Sequence, residues 1–405
     1  PTDADFPSDH EDYTMSVRDY YDEISNGKQG IIGVEESIRP WRTAKHNYSY
    51  YVDGVNGTGQ GNGPDGTNNY VKSAGALVVE TAMAIDDEGF DFSQFDNGKG
   101  FIDVVILIVA GKGGNQNGNY FWPHMYVVQS SDPNSDYFSV GGVNIHKYIV
   151  IQEQYPYWGS SDETKIHPIG TICHELGHVL GLPDLYDNSD SPAAGIGYWG
   201  LMGSGNYLLQ TSPAYMSAWS RYRLGFIVPD TLADVYNLEI TIPPAEGLDV
   251  GAAYILPMSS NLPQEYLMIE NRQKIIGSSD EFLKKSGLLV WHIDETITDM
   301  YPVFSSSVNI DPHFYGVNLL QADGDDDLYT HNGVADTGDP FYGNAQITTS
   351  TYPNTNLYTY DRDADGIADT GGTSNIRLTN IMENANNSIT LIANNPNQPG
   401  IVEAY

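Results

Sequence analysis

The spacing of apolar positions changes character near residue 230. Upstream of it, Lys72–Asp87 sets Ala74, Leu77, Val78, Thr81, Met83 and Ile85 at helical intervals. Val17–Ser25 predicts a shorter helix closed by Asn26-Gly27, and Pro213–Leu224 a third, stopped by Gly225 and Pro229-Asp230. Between these lie runs of strand length. Phe101–Ala110 is the clearest, apolar enough to be central in a sheet. Gln29–Val34, Tyr48–Val52 and Tyr148–Gln154 are also expected as strands, and Tyr120–Val128 as a strand at a sheet edge. Downstream, short alternating or apolar segments recur between turn residues: Leu238–Ile242, Ala252–Pro257, Glu265–Glu270, Gly287–Ile293, Gly316–Ala322 and Ser388–Ala393. That pattern predicts a β-sandwich. A chain of 405 residues exceeds what one core usually organises, so two domains are expected, residues 1–229 and 230–405. No proline- or serine-rich stalk separates them, which predicts direct packing.

Polar stretches complete the outline. Residues 1–14 form an acidic, proline-bearing lead-in, and residues 53–69 a glycine-asparagine loop too polar for a core. No lysine follows those glycines in the phosphate-loop pattern, so a nucleotide site there is rejected. The 53 acidic against 18 basic residues leave a net charge of −35. Repulsion then argues against nucleic acid and anionic membrane surfaces as partners. Charged residues are nevertheless only 18%, beside 29 tyrosines and a hydrophobic fraction of 40%. A polar, extracellular surface over a real core is expected rather than disorder. The longest apolar run, Val104–Ala110, has strand length, so no membrane span is expected. The single cysteine, Cys173, allows no intrachain disulfide and is expected to be a small buried residue. Bound metal ions are the natural staples in its place. No signal peptide begins the chain at Pro1, as expected of a mature product whose leader has gone.

The chemistry concentrates in residues 171–184, Thr-Ile-Cys-His-Glu-Leu-Gly-His-Val-Leu-Gly-Leu-Pro-Asp. One helical turn separates His174 from His178, so both imidazoles share a face and can chelate one ion. Glu175 lies between them, placed to reach a water rather than the metal; this is the His-Glu-x-x-His pattern of zinc hydrolases. Gly181 can end the helix in a left-handed conformation, and Pro183 prevents its resumption. Asp184 then arrives where a third ligand is needed. Two histidines, a carboxylate and an open position suit catalytic Zn²⁺.

A glycine-rich turn with one methionine, Tyr198-Trp199-Gly200-Leu201-Met202-Gly203-Ser204-Gly205, follows. With it the chain resembles the immune inhibitor A-like metalloproteases, the M6 peptidases within the metzincins. Ser16–Tyr21, Trp122-Pro123-His124, Ser217–Gly225, Glu270–Gln273, Gly287–Asp294 and Ala322–Asp325 also resemble family blocks, and together these cover most of residues 15–345. The resemblance implies an α+β metzincin-like zinc protease catalytic domain followed by an all-β sandwich domain. It implies a secreted, extracellular endopeptidase acting on proteins or peptides, with Zn²⁺ on His174, His178 and Asp184 and Glu175 as general base. Met202 would form an apolar floor beneath the ligands, the 72–87 helix would back the sheet, and the 120–128 edge would pair with extended substrate. Tyr198 and Tyr207 bracket the Met-turn and are the candidates for an oxyanion donor. Family members usually carry a further strand before the Ser-Val-Arg block; here a short acidic segment stands there, which reads as a processed form. A monomer is expected.

Other polar residues receive plainer roles. His124 is read as structural or cleft-lining in preference to catalytic, and His167 as a cap or entry residue. Asp103 is read as an outer support of the site or a strand-edge residue. Arg272 and His292 are expected to make interior or interface hydrogen bonds. Asp187, Asn188 and Asp190 could bind calcium but favour an Asx-rich turn. Two acidic loops are expected to bind Ca²⁺. Asp361, Asp363, Asp365 and Asp369 occupy positions one, three, five and nine of an EF-hand-like loop with Ile367 at the seventh, though Gly372 stands where the closing glutamate belongs. Asp323, Asp325 and Asp327, followed by Asp336 and Asp339, form the second cluster. Two rival classes stay open: a non-proteolytic zinc amidohydrolase, and a calcium-stabilised adhesion module with a vestigial zinc site. The intact Glu175 argues against the latter.

Overall fold

A computed structural model describes residues 15–31, 37–58, 72–113, 120–128, 136–154, 166–188, 193–246, 250–300, 307–330, 333–360 and 371–397. Two compact units are distinguished in it, residues 32–179, and residues 1–31 with 180–405. The helices that bear on function are α1 (Val17–Ser25), α2 (Tyr48–Val52), α3 (Ala74–Asp87), α4 (Ile169–Leu180) and α5 (Ala218–Arg223).

In the 32–179 unit, strands β1 (Phe101–Ile102), β2 (Val105–Lys112), β3 (His124–Val127), β4 (Phe138–Val140), β5 (Val143–Ile145) and β6 (Lys147–Gln154) form two sheets, ordered β2-β6-β3 and β1-β5-β4. β6 runs parallel to β2 and antiparallel to β3. Helix α3 starts where the Ser73 hydroxyl accepts the Ala76 N–H. It buries Leu77, Val78, Ala82 and Ile85 in one core with Tyr148 and Val150 of β6, and Val140, Val143 and Ile145 of the smaller sheet. Met83, on its other face, is exposed.

Several expectations shift here. The Phe101–Ala110 run is two strands, interrupted at Asp103, whose carboxylate accepts a hydrogen bond from the Asn97 amide at 3.0 Å. Phe101 pairs with Asn144 and Val105 with Tyr148, so one parallel register continues across the break. The run is also not central: β2 is at a sheet edge, with Ile106 and Ile108 exposed, and the buried Tyr148–Gln152 stretch of β6 is in the middle. Tyr48–Val52 is a helix. The Asn47 side chain caps its first turn by accepting the Tyr50 N–H, and Asp53 closes it at a φ of 48°. Local capping outweighs the strand preference of three tyrosines and a valine. Gln29–Ile31 form no strand, and residues 32–34 lie outside the described residues. Tyr120–Val128 contracts to β3, at the edge as expected.

In the other unit, α1 opens with a Ser16–Asp19 capping box and closes at Asn26, with a φ of 55°. The expected 213–224 helix begins only at Ala218, capped by Ser217. Strands β7 (Val228–Thr231), β8 (Val235–Ile242), β9 (Val250–Pro257), β10 (Glu265–Arg272), β11 (Gly287–Asp294), β12 (Val317–Leu319), β13 (Ala345–Ile347), β14 (Arg377–Glu383) and β15 (Ile389–Asn395) form sheets ordered β12-β11-β10-β9-β7 and β13-β14-β15-β8. Leu256, Leu267, Ile269, Leu288 and Val290 of the first share a core with Ile242, Leu378, Ile381, Ile389 and Leu391 of the second. Strand alternation sends Glu270 and Arg272 to the opposite face of β10 from Leu267 and Ile269. There they enter a fully buried polar cluster. Arg221 contacts Glu270 at 2.8 Å, and Arg272 grips Asp280 with its Nε and Nη2. Arg272 Nη1 also donates to the Trp199 carbonyl at 3.0 Å. His292 bonds Glu265 at 2.9 Å, so both residues have the interior hydrogen-bonding roles expected of them.

Candidate metal centre

Helix α4 carries His174 and His178 one turn apart, their ring centroids 4.7 Å from each other. It ends at Gly181, whose φ of 110° a side chain would strain. Leu182 and Asp184 beyond it are buried. Ligand-capable atoms of His174, His178 and Asp184 all lie within 4.8 Å of one another. Among the described residues, these are the three or more His, Cys, Asp or Glu side chains that converge so closely. Two imidazole nitrogens and one carboxylate oxygen fit a divalent transition-metal ion of the zinc type, with a position left for water or substrate.

Glu175 is buried and outside the trio; its Oε2 accepts the Met125 N–H at 2.6 Å. The direction of that bond follows from β3. The Val128 N–H reaches back to the His146 carbonyl at 2.7 Å, so the alternate residues Met125 and Val127 turn their amides to the other edge. An edge strand thus orients the glutamate that lies next to His174 in α4. At the far end of α4, Lys147 Nζ donates to the Val179 carbonyl at 2.6 Å. A cation there satisfies an orphan carbonyl and opposes the negative end of the helix. Burial holds the Lys147 pKa below its ordinary value. Lys147→Met should lower stability by about 1 kcal/mol, read as a lower melting temperature of the metal-free protein.

His124 has both nitrogens engaged, with the Trp122 carbonyl at 2.7 Å and the Tyr148 hydroxyl at 3.1 Å. Burial lowers its pKa. That supports the structural reading. His167 Nδ1 lies 3.0 Å from the Pro168 carbonyl and its amide donates to Glu153, before α4 begins. Burial pushes the Cys173 thiol up, so the cysteine is inert, as expected of a packed residue.

Met202 is buried, and its carbonyl accepts the Leu185 N–H at 2.8 Å, one residue past Asp184. The Ile196 N–H donates to the Leu185 carbonyl at 3.0 Å. Gly195 is obligatory in this clasp: a Cβ there would fall 1.9 Å from the Leu185 oxygen. Tyr198 is buried, whereas Tyr207 is 43% exposed. Asp187 is buried in a turn in which its N–H meets the Ala193 carbonyl, and Asn188 Nδ2 donates to Asp184 at 3.4 Å. Asp190 lies outside the described residues.

The first acidic loop, Asp361, Asp363, Asp365, Ile367 and Asp369, also lies outside them. The second is described, and no three of Asp323, Asp325, Asp327, Asp336 and Asp339 meet within 4.8 Å. Asp339 is fully buried; its Oδ2 accepts the Trp199 indole N–H and the Asp336 N–H, each at 2.8 Å. Burial, reinforced by the Asp327 and Asp336 charges, pushes its pKa up to about 7. Sequence gave no sign of the Trp199–Asp339, Lys147–Val179 or Met125–Glu175 contacts.

Paired helix histidines, a following aspartate and an adjacent buried glutamate are the arrangement of a metal-dependent peptidase. The model of the immune inhibitor A peptidase M6 catalytic domain matches residues 2–227, more than half the chain, and the chain belongs to that metallopeptidase family. Immune inhibitor A of Bacillus thuringiensis subsp. alesti is 30% identical over 222 residues, 47% of this chain and 28% of that protein. The pre-pro-metalloprotease PrtV of Vibrio cholerae serotype O1 is 24% identical over 230 residues, 51% of this chain and 23% of that protein. The match therefore spans about a quarter of the length of these curated relatives.

Proposed function

We propose that this chain is a secreted zinc-dependent endopeptidase with His174, His178 and Asp184 as metal ligands and Glu175 as general base. The convergence of the three ligand side chains within 4.8 Å is the observation that carries the reading. When bound, zinc supplies Lewis acidity, acidifying a coordinated water and polarising the scissile carbonyl. Glu175 takes the proton from the attacking water and delivers it to the leaving amine. Its Oε2 is anchored by Met125, which leaves Oε1 for that exchange. Val127, one pair along the same outward edge, supplies the N–H and C=O for pairing with extended substrate. Of the tyrosines, the exposed Tyr207 is the better oxyanion donor and Tyr198 the worse, because it is buried.

The catalytic domain is read as a metzincin-type fold over residues 1–229, supported by the family match to 2–227. Met202 is read as its floor. Residues 230–405 are read as a β-sandwich domain, supported by the core that two sheets share. Calcium is read as a second metal in the acidic loops of that half. Extracellular residence and a monomeric state rest on the −35 charge and the polar composition. No helix among the described residues is long and apolar enough to cross a membrane. Metal analysis with cleavage-site mapping on casein tests the function. One equivalent of zinc and internal cleavages that stop on chelation are expected; a zinc protein that leaves casein intact but hydrolyses small amides would replace this reading with the amidohydrolase one.

A further inference from the structure

The residue after Asp184 is held by its main chain at both ends. The Leu185 N–H donates to the Met202 carbonyl at 2.8 Å. The Leu185 carbonyl accepts the Ile196 N–H at 3.0 Å and, from much further along the chain, Asn309 Nδ2 at 3.1 Å. Both lone pairs of that oxygen are therefore used. Leu185 is fully buried, and Asp184 is buried as well. Turning the backbone here would break hydrogen bonds that no water can replace.

Asn309 is itself fully buried and firmly seated. Its Oδ1 accepts the Val317 N–H at 3.1 Å, and its Nδ2 donates to the Val317 carbonyl at 2.8 Å. The side-chain amide thus pairs with Val317 as a neighbouring strand would, which uses its acceptor and one of its two hydrogens. The second hydrogen goes to Leu185. A flipped amide would set Oδ1 against two carbonyl oxygens, so the orientation is fixed by its partners. Val317 opens β12 and pairs with Ile293 of β11, and Gly316 bonds Val308 and Asp294 through its main chain. Asn309 therefore stands on a sheet. Tyr315, from the same loop, is fully buried; burial first, and then the charge of Asp187, hold its phenol above the ordinary pKa. The loop thus reaches the turn after Asp184 at two places, and all of these residues belong to the same compact unit.

We propose that Asn309 is a positioning residue for the metal centre: by holding the Leu185 main chain it aims the Asp184 carboxylate at the bound ion. A residue outside the 2–227 family match then governs retention of the catalytic metal. The role rests on the reading of Asp184 as a ligand. Asn309 touches neither metal nor substrate, and it acts only through the backbone that carries Asp184. Outer supports of a metal ligand usually contribute about 10–100-fold in metal affinity. Met202 and Ile196 hold Leu185 with main-chain atoms, whereas Asn309 does so with a side chain and can be removed by substitution.

The test compares Asn309→Ala with Asn395→Ala. Asn395 is equally buried, and its Nδ2 bridges the Leu232 and Pro257 carbonyls at 2.8 and 3.1 Å, between β15 and the β7–β9 pair. Each variant loses a buried asparagine that bridges two carbonyls, so both should melt at a lower temperature. Competition with a chromogenic chelator, well below either melting temperature, gives the zinc dissociation constant. Asn309→Ala should weaken zinc by about 10-fold or more, and Asn395→Ala should leave it unchanged. Asn309→Ser keeps a hydroxyl for Val317 that cannot also span to Leu185; it should weaken zinc similarly and replaces the alanine variant if that does not fold. In the Co²⁺-substituted proteins the visible ligand-field bands should shift in the Asn309 variants alone. Asp184→Ala should lose zinc. Wild-type zinc affinity in the Asn309 variants, with zinc lost in Asp184→Ala, overturns the role of Asn309 and spares the ligand assignment. Equal weakening in Asn309→Ala and Asn395→Ala also overturns it, since general loosening would then suffice. Wild-type zinc affinity in Asp184→Ala overturns the ligand assignment and this role with it.

Discussion

Glu175→Gln should keep one equivalent of zinc and lose roughly 10²–10⁴-fold in kcat, the usual contribution of a positioned general base. The substitution is nearly isosteric and leaves His174, His178 and Asp184 untouched. A glutamine carbonyl can still accept the Met125 N–H that holds Glu175 Oε2 at 2.6 Å. What disappears is the capacity to take up a proton. KM should therefore change little, since substrate pairing on the β3 edge does not use this side chain. His174→Ala gives the contrasting result, with the metal lost and turnover lost with it. Wild-type turnover in the glutamine variant would remove Glu175 from the mechanism. Loss of zinc in that variant would instead place the carboxylate among the ligands.

The two histidines of the proposed metal site were legible because their information is local. A spacing of four on a helix, a glycine that must adopt positive φ and a carboxylate three residues later need no knowledge of the rest of the fold. Helix α3 and most downstream strands were legible for the same reason, since each is a local apolar run or period bounded by turn residues; β10 and β11 are buried along their whole length. Misreadings arose where another force decided. In α2, caps at Asn47 and Asp53 overrode aromatic strand preference. The apolar run Phe101–Ala110 suggests a central strand, but that position belongs to β6, whose buried Gln152 conceals it in sequence. The contacts that orient the site were invisible for a different reason: Glu175 meets Met125 across 50 positions, Lys147 meets Val179 across 32 and Trp199 meets Asp339 across 140. No periodicity encodes such pairs.

Arg272→Met should destabilise the protein by on the order of 3–5 kcal/mol, the cost of leaving buried carboxylates without their cation. Arg272 is fully buried and makes a two-pronged bond to Asp280, while it also donates to the carbonyls of Trp199 and Tyr215. Beside it, Glu246 has both side-chain oxygens buried without a hydrogen-bond partner. Its pKa is pushed up to about 8, by burial first and by Asp280 next, against the pull of Arg272. Tyr215 and Arg221 close the same cluster. The raised value sets the sign of a pH effect. The folded chain keeps the Glu246 proton above pH 4.5, where the unfolded chain has released it, so the stabilisation is complete at lower pH and is lost as pH rises through about 8. Wild-type melting temperature should therefore fall between pH 5 and 9, and Glu246→Gln, which cannot ionise, should reduce that fall. In the Arg272→Met background the Glu246 pKa should rise further, because the pull of Arg272 has gone. Denaturant melts of the three proteins at pH 5, 7 and 9 measure both effects. A Glu246→Gln variant whose stability falls with pH as steeply as the wild type would show that the buried proton resides elsewhere.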